Sequence, residues 1–249
     1  MCETCGCDDQ AKSRLIEWHD VHDDSHGHPH QHDHTHTVTL QTRVLAKNDD
    51  LADANRRWLA ERHIVALNLM SSPGSGKTTL LERTLDELGS TLAIAVIEGD
   101  QETTLDAERI RATGARVVQV NTGAGCHLDA PMVGAGLRTL QPPSESLVFI
   151  ENVGNLVCPA LFDLGETAKV VVISVTEGAD KPLKYPHMFR SADLVLINKV
   201  DLLPYVDFDV TACVKAALTI KPDLDAIQIS ATEGTGMNDW YAWLRRRRS

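Results

Sequence analysis

No apolar run in this chain approaches the length of a membrane-spanning helix. Nor does the N-terminus hold the apolar core of a secretion signal, which predicts a cytoplasmic protein. Basic clusters are scarce as well. Formal net charge is −11 over 249 residues, and the one run of bases, Arg245 to Arg248, closes the chain. That balance argues against a nucleic-acid partner, and the run reads as a solvated helix end that complements the helix dipole. Six cysteines in a reducing compartment favour metal binding or catalysis over disulfides. The length suffices for one large α/β domain with a sizeable core, preceded by a tail.

What the chain does have begins with Ser71-Ser72-Pro73-Gly74-Ser75-Gly76-Lys77-Thr78. Strand character precedes it from Ile64 to Met70, and helical character follows from Thr78 to Leu88. A glycine-rich turn between a buried strand and a helix aims backbone N–H groups and the helix dipole at one point, where an anion is favoured. Gly74, Ser75, Gly76, Lys77, Thr78 and Thr79 would hold a nucleotide's phosphates. Lys77 would reach the β- and γ-phosphates, and the Thr78 hydroxyl would bind Mg²⁺. The first position of the G-x-x-x-x-G-K-[ST] pattern is Ser71 rather than Gly. A plain Ser/Gly loop capping a helix is the structural alternative.

Six more short Val/Ile/Leu runs follow, at Leu92–Ile97, Arg116–Val120, Leu147–Ile150, Val170–Val175, Leu194–Ile197 and Ala226–Ile229. Runs of this kind, separated by helical stretches, predict an α/β fold with a mostly parallel sheet covered on both faces, a P-loop nucleotide domain. Ligands in such sheets bind at the carboxyl ends of the strands. There the sequence places Asp100 and Glu151, one to hold the Mg²⁺ shell and the other to orient the attacking water, in an order that stays open. Their structural alternative is capping the helices that follow. Gly154 could offer a backbone N–H near the γ-phosphate. Asn198-Lys199-Val200-Asp201 follows a late strand. Asp201 can accept two hydrogen bonds from guanine, a pair of donors that adenine lacks. Asn198 and Lys199 would brace the loop and cover the ring, and Ser230 and Ala231 can supply backbone contacts to the base.

Residues 1–46 form a separate region ahead of a domain at 47–249. Cys2, Cys5 and Cys7 lie within the first seven residues, a spacing that lets three thiolates meet one Zn²⁺ or Ni²⁺ ion. A redox pair or an inert end is the alternative. Next come His19, His22, His26, His28, His30, His32, His34 and His36, eight of the eleven histidines, interleaved with acids. The stretch holds too little apolar content to bury a core, so it is expected to be disordered and to store or buffer divalent ions. A helix is predicted over 48–62, with Asn48 as its cap and Leu51, Ala54, Trp58 and Leu59 on one face. Cys126-His127 and Cys158 supply three further donors. Cys213 reads as a small core residue, and His63 and His187 as structural.

Taken together, MCETCGC, the His-rich segment, SSPGSGKTTLLE, IEGDQET, Cys126-His127, ENVGNLVCPA, EGADKPLKYP, NKVDLLPY and SATEGTGM resemble the HypB family of hydrogenase nickel-incorporation GTPases over essentially the whole chain. The resemblance implies slow GTP hydrolysis to GDP that gates nickel transfer, and a GTP-dependent homodimer. It implies a metal site at the dimer interface on Cys126, His127 and Cys158, and a nickel site on Cys2, Cys5 and Cys7. Partners implied are HypA and the hydrogenase large subunit. An additional lysine found early in the phosphate loop of some relatives is absent, so a lysine reaching across the dimer is not expected. A urease-type nickel GTPase is the nearest rival, but its metal motif resembles Cys-Pro-His, whereas Cys158-Pro159 is followed by Ala160. A storage protein with a regulatory nucleotide module is the rival from another class.

Overall fold

The computed structural model describes residues 34–100, 104–123 and 125–248. Cys2, Cys5, Cys7, His19, His22, His26, His28, His30 and His32 lie outside the described residues. The elements run in order α1 (His34–Ala60), β1 (Val65–Ser71), α2 (Lys77–Leu88), β2 (Ile94–Asp100), α3 (Leu105–Ala112), β3 (Arg116–Asn121), α4 (Ala130–Leu140) and β4 (Leu147–Glu151). There follow α5 (Cys158–Leu161), β5 (Ala168–Ser174), α6 (Lys181–Lys184), α7 (Pro186–Ser191), β6 (Leu194–Asn198), a 3₁₀ turn (Val200–Tyr205), α8 (Val210–Ile220), β7 (Asp225–Gln228) and α9 (Met237–Arg248).

All seven strands pair in parallel, in the order β3-β2-β4-β1-β5-β6-β7. Because side chains alternate across a strand, each strand feeds two cores. Leu67, Leu69, Val96, Phe149, Val170 and Leu196 face α2 and α9, where Leu80, Leu81, Trp240 and Trp243 meet them. Ala66, Ile97, Val148 and Ile150 face Leu59 of α1 and Val133 and Leu137 of α4. Ile173, Val195 and Ile197 face Met188 and Phe189 of α7 and Ala217 of α8. Cys213 lies in this last core at 1% exposure, and burial pushes its thiol up to about 11, so it is an inert packing residue.

Two expectations are corrected. The first helix begins at His34 rather than at residue 48, so His34 and His36 lie in its first turn and the helix crosses the expected domain boundary. Residues 37–47 contain no glycine or proline, and Leu45 is partly buried against the core, so nothing halts the helix there. Asn48 is therefore not a cap. It is buried mid-helix, and the inward face carries Asn48, Ala52, Asn55 and Leu59, while Leu51 and Ala54 are exposed. The second strand also runs further than the apolar residues do, because Glu98, Gly99 and Asp100 continue the ladder against Gln119, Val120 and Asn121.

Candidate nucleotide site and metal centre

Central strand β1 ends at Ser71, and the turn to α2 passes through Gly74 and Gly76 at φ of +73° and +95°. Glycine is required at 76 twice over. Its φ is left-handed, and a Cβ there would lie 2.5 Å from Nδ2 of Asn198. Among the described residues no side chain caps the start of α2, which suits its first N–H groups to an anion in the cleft. Lys77 Nζ donates to Ser71 Oγ at 2.7 Å, and Thr78 Oγ1 donates to Glu151 Oε1 at 2.8 Å. The turn, Thr79, Asp100, Glu151, Gly154 and Lys199 line a cleft of about 490 Å³, a size that suits a nucleotide's phosphates and sugar. Gly154 sits so close to the phosphate turn that a Cβ on it would meet Pro73 at 3.1 Å.

The electrostatics of this cleft call for a cation. Glu98 and Glu151 stand opposite each other in register, 2% and 3% exposed, and one carboxylate oxygen of each has no hydrogen-bond partner among the described residues. Burial, then the charges of Glu151, Asp100 and Asp106, push the Glu98 carboxyl up to about 8. Burial also raises Glu151, against the pull of Lys77 and the Thr78 hydroxyl. Lys77 is lowered by burial. Hard carboxylate and hydroxyl oxygens of this kind fit Mg²⁺, with Thr78, Glu151 and Asp100 as the candidate holders. Sequence reasoning passed over Glu98, although its spacing of two from Asp100 on one strand was the available signal. It also passed over Asp106 and Arg109, which line the cleft; Arg109 pairs with Glu82 and Asp106 and donates to Thr79.

At the other end of the cleft, Asn198 braces the phosphate loop. Its Nδ2 donates to Ser75 O at 2.9 Å, and its Oδ1 accepts from Lys199 N at 2.8 Å and Ala231 N at 3.1 Å. Ala231 thus contributes its amide N–H to the brace. Ser230 Oγ accepts from Glu233 N at 3.0 Å, which shapes the turn that follows. Lys199, at φ +63°, stretches its Nζ to Gly74 O at 2.7 Å. Asp201 lies half-buried at the start of the 3₁₀ turn beside this brace.

The three predicted inner metal donors do come together. Their ligating atoms in Cys126, His127 and Cys158 all lie within 4.8 Å of one another. Cys126 Sγ is 3.6 Å from His127 Nδ1, and the imidazole stacks on Phe162 at 3.9 Å between ring centres. Burial lowers the His127 pKa, which favours the neutral imidazole that a metal needs. Two thiolates and an imidazole suit Zn²⁺ or Ni²⁺ and leave further coordination positions for other donors. The two sites touch through Asn152, which directly follows Glu151. Its Oδ1 accepts from Leu128 N at 3.0 Å, one residue past His127, and its Nδ2 donates to Asn68 Oδ1 at 3.2 Å.

Residues 65–228 match the model of the CobW/HypB/UreG nucleotide-binding domain. The hydrogenase maturation factor HypB of Azotobacter vinelandii is 57% identical over 211 residues, which cover 85% of this chain and 70% of that one. The chain belongs to the HypB family of hydrogenase maturation factors. Solved HypB structures superpose accordingly. That from Archaeoglobus fulgidus shares 42% identity at a TM-score of 0.77, covering 82% of this chain and all of that one. HypB from Helicobacter pylori in complex with nickel shares 37% at a TM-score of 0.76, covering 81% and 95%. The parallel P-loop sheet expected from the strand runs is therefore the HypB fold. Among the described residues no helix is long and apolar enough to cross a membrane.

Proposed function

We propose that this HypB-family protein is a GTPase that gates delivery of nickel to the [NiFe]-hydrogenase large subunit, handing the ion on through a HypA-type partner. GTP is the substrate, and water cleaves it to GDP and phosphate. Lys77 and the N–H groups from Gly74 to Thr79 hold the phosphates, and Asp201 selects guanine with Asn198 and Lys199 fixing its loop. Thr78 with Glu151 or Asp100 would hold Mg²⁺, which would supply charge neutralisation to the phosphates. The other acid orients the attacking water. Nickel is cargo. Cys2, Cys5 and Cys7 collect it, the histidine tract stores it, and Cys126, His127 and Cys158 hold it during transfer, with Zn²⁺ as the competing ion.

The observation that carries this reading is the shared loop. Glu151 contacts Thr78 at the phosphate end, and seven residues later Cys158 joins Cys126 and His127. A shift of that loop on hydrolysis changes both sites, so nucleotide and metal should alter each other's affinity reciprocally. In the GTP state two protomers close face to face and complete the metal's ligand set. Light scattering on metal-free protein tests this, first with GDP and then with a GTP analogue, each with and without Ni²⁺. A dimer that forms with the analogue and is strengthened by Ni²⁺ is expected. A monomer in every condition would uncouple the sites and leave a storage protein instead.

A further inference from the structure

The metal triad hangs on two separate arms. One carries Cys126-His127 and runs into α4 at Ala130, and the other runs from Cys158 through Phe162 to Leu164. The arms touch directly where His127 of the first stacks on Phe162 of the second at 3.9 Å between ring centres. A third element also touches both. Asn48 of α1 donates from Nδ2 to Asp163 O at 2.7 Å and accepts at Oδ1 from Ala130 N at 2.9 Å. Two turns along, Asn55 donates the two hydrogens of its Nδ2 to Ala130 O at 2.8 Å and to Leu164 O at 3.0 Å. Each asparagine thus bridges the two arms, and both are at least nine-tenths buried.

The packing around these bonds is tight on both sides. Gly165, at φ +87°, lies so near α1 that a Cβ on it would meet Ala52 O at 2.5 Å and Asn55 Cβ at 2.7 Å. A Cβ on Gly134 of α4 would meet Asn55 Oδ1 at 2.7 Å. Outside, Arg56 pairs with Asp163. An amphipathic helix needs only apolar residues to dock, and a buried asparagine is costly unless its amide is satisfied. Here α1 presents an asparagine at each of the two points where the arms come within reach, and each satisfies backbone groups of both arms.

We infer that α1 is a strut for the metal triad, and that Asn48 and Asn55 are positioning residues that hold the Cys126-His127 arm and the Cys158 arm at ligating distance. This rests on the reading of Cys126, His127 and Cys158 as a metal site. Outer-shell groups that fix ligand geometry typically cost about 10–100-fold in metal affinity when removed. The arms meet α1 on the face of the sheet away from α2, so the phosphate loop does not share these bonds.

The test uses the full chain with Cys2→Ser, Cys5→Ser and Cys7→Ser, so that thiolate-to-nickel charge-transfer absorption reports only the inner site. Ni²⁺ is titrated into this parent and into its Asn48→Ala, Asn55→Ala and double variants, with GDP affinity measured separately on metal-free protein. Ni²⁺ binding weakened about 10–100-fold at unchanged GDP affinity supports the strut. Equal Ni²⁺ affinity in parent and variants overturns it, and so does a parallel loss of GDP binding, which marks a general structural role. A parent without the absorption band sinks the metal-site reading itself, and the strut with it. Should the variants fail to fold, hydrogen exchange on the parent decides. Ni²⁺ should slow exchange across residues 45–60, and exchange there indifferent to Ni²⁺ overturns the inference.

Discussion

Replacing Glu98 with Gln tests the electrostatics of the cleft without removing a phosphate contact. Gln keeps the shape of the side chain and cannot ionise. The wild-type carboxyl titrates near its ordinary value of 4.5 in the unfolded chain and at about 8 in the folded one. Below the unfolded value both states hold the proton and the contribution to stability is intact. Between about 4.5 and 8 the unfolded chain releases a proton that the folded chain keeps, so stability falls as pH rises. The slope is at most about 1.4 kcal/mol per pH unit. Summed over the window, Glu98→Gln should be more stable than wild type by on the order of 3–5 kcal/mol at about pH 8.5, and nearly equal to it at about pH 4.5. The charge of Glu151 opposite is already among the causes of that shift and adds nothing further. The assay is urea unfolding of nucleotide- and metal-free protein across that range. Parallel pH profiles for the two proteins would refute the claim that Glu98 is held protonated.

Lys77→Ala removes the buried ammonium at the phosphate turn and should abolish GTP hydrolysis; wild-type turnover in that variant would sink the assignment of the loop. Asp201→Asn turns a double acceptor into a group with only one, and should weaken guanine-nucleotide binding by about 1–3 kcal/mol in a fluorescence titration. An unchanged affinity would remove Asp201 from the base site. Cys158→Ala should leave GTP turnover intact in metal-free protein while abolishing Ni²⁺ binding at the inner triad. Collapse of metal-free turnover would make Cys158 a structural residue instead.

The sheet and the phosphate turn were legible because both are written in local pattern. Apolar runs of the right length marked all seven strands, and Gly-Lys-Thr after the first of them marked the turn. Burial of polar groups was not legible. Glu98 reads locally as the acid that ends a strand, and only the pairing of β2 with both β3 and β4 shows that it lies inside the ladder. The inward face of α1 was legible only in part for the same reason, since Trp58 and Leu59 do pack on the core. Apolar periodicity selects Leu51 and Ala54, whereas Asn48 and Asn55 are drawn in by backbone groups more than seventy residues away in sequence. The Cys126–His127–Cys158 cluster lay between these cases. Its residue types were conspicuous, but only the return of the chain through β4 brings Cys158 back beside His127.

That return also bears on how, in the proposed function, one small loop would report on two chemistries. Thr78 holds Glu151 at the nucleotide end, and the next residue, Asn152, is 1% exposed and fully engaged. Its own N–H donates to Leu69 O at 3.0 Å, its amide nitrogen to Asn68, and its amide oxygen accepts from Leu128 and Val153. Asn68 is anchored in turn by Glu166 at 3.1 Å. Leu128 is gripped a second time, because a Cβ on Gly99 of β2 would lie 2.7–2.9 Å from its side chain. Both acids proposed at the phosphates, Asp100 and Glu151, are therefore one residue from a group that contacts Leu128, and Leu128 is one residue from His127. Leaving one of these buried groups unpaired costs about 1–3 kcal/mol, so a displacement of either acid disfavours the present placement of Leu128. On the proposed function, such a displacement would pass to the His127 arm, which the α1 strut would hold against the Cys158 arm. A small change at the γ-phosphate would thus alter ligand spacing at the triad, and groups that fix ligand geometry tune metal affinity.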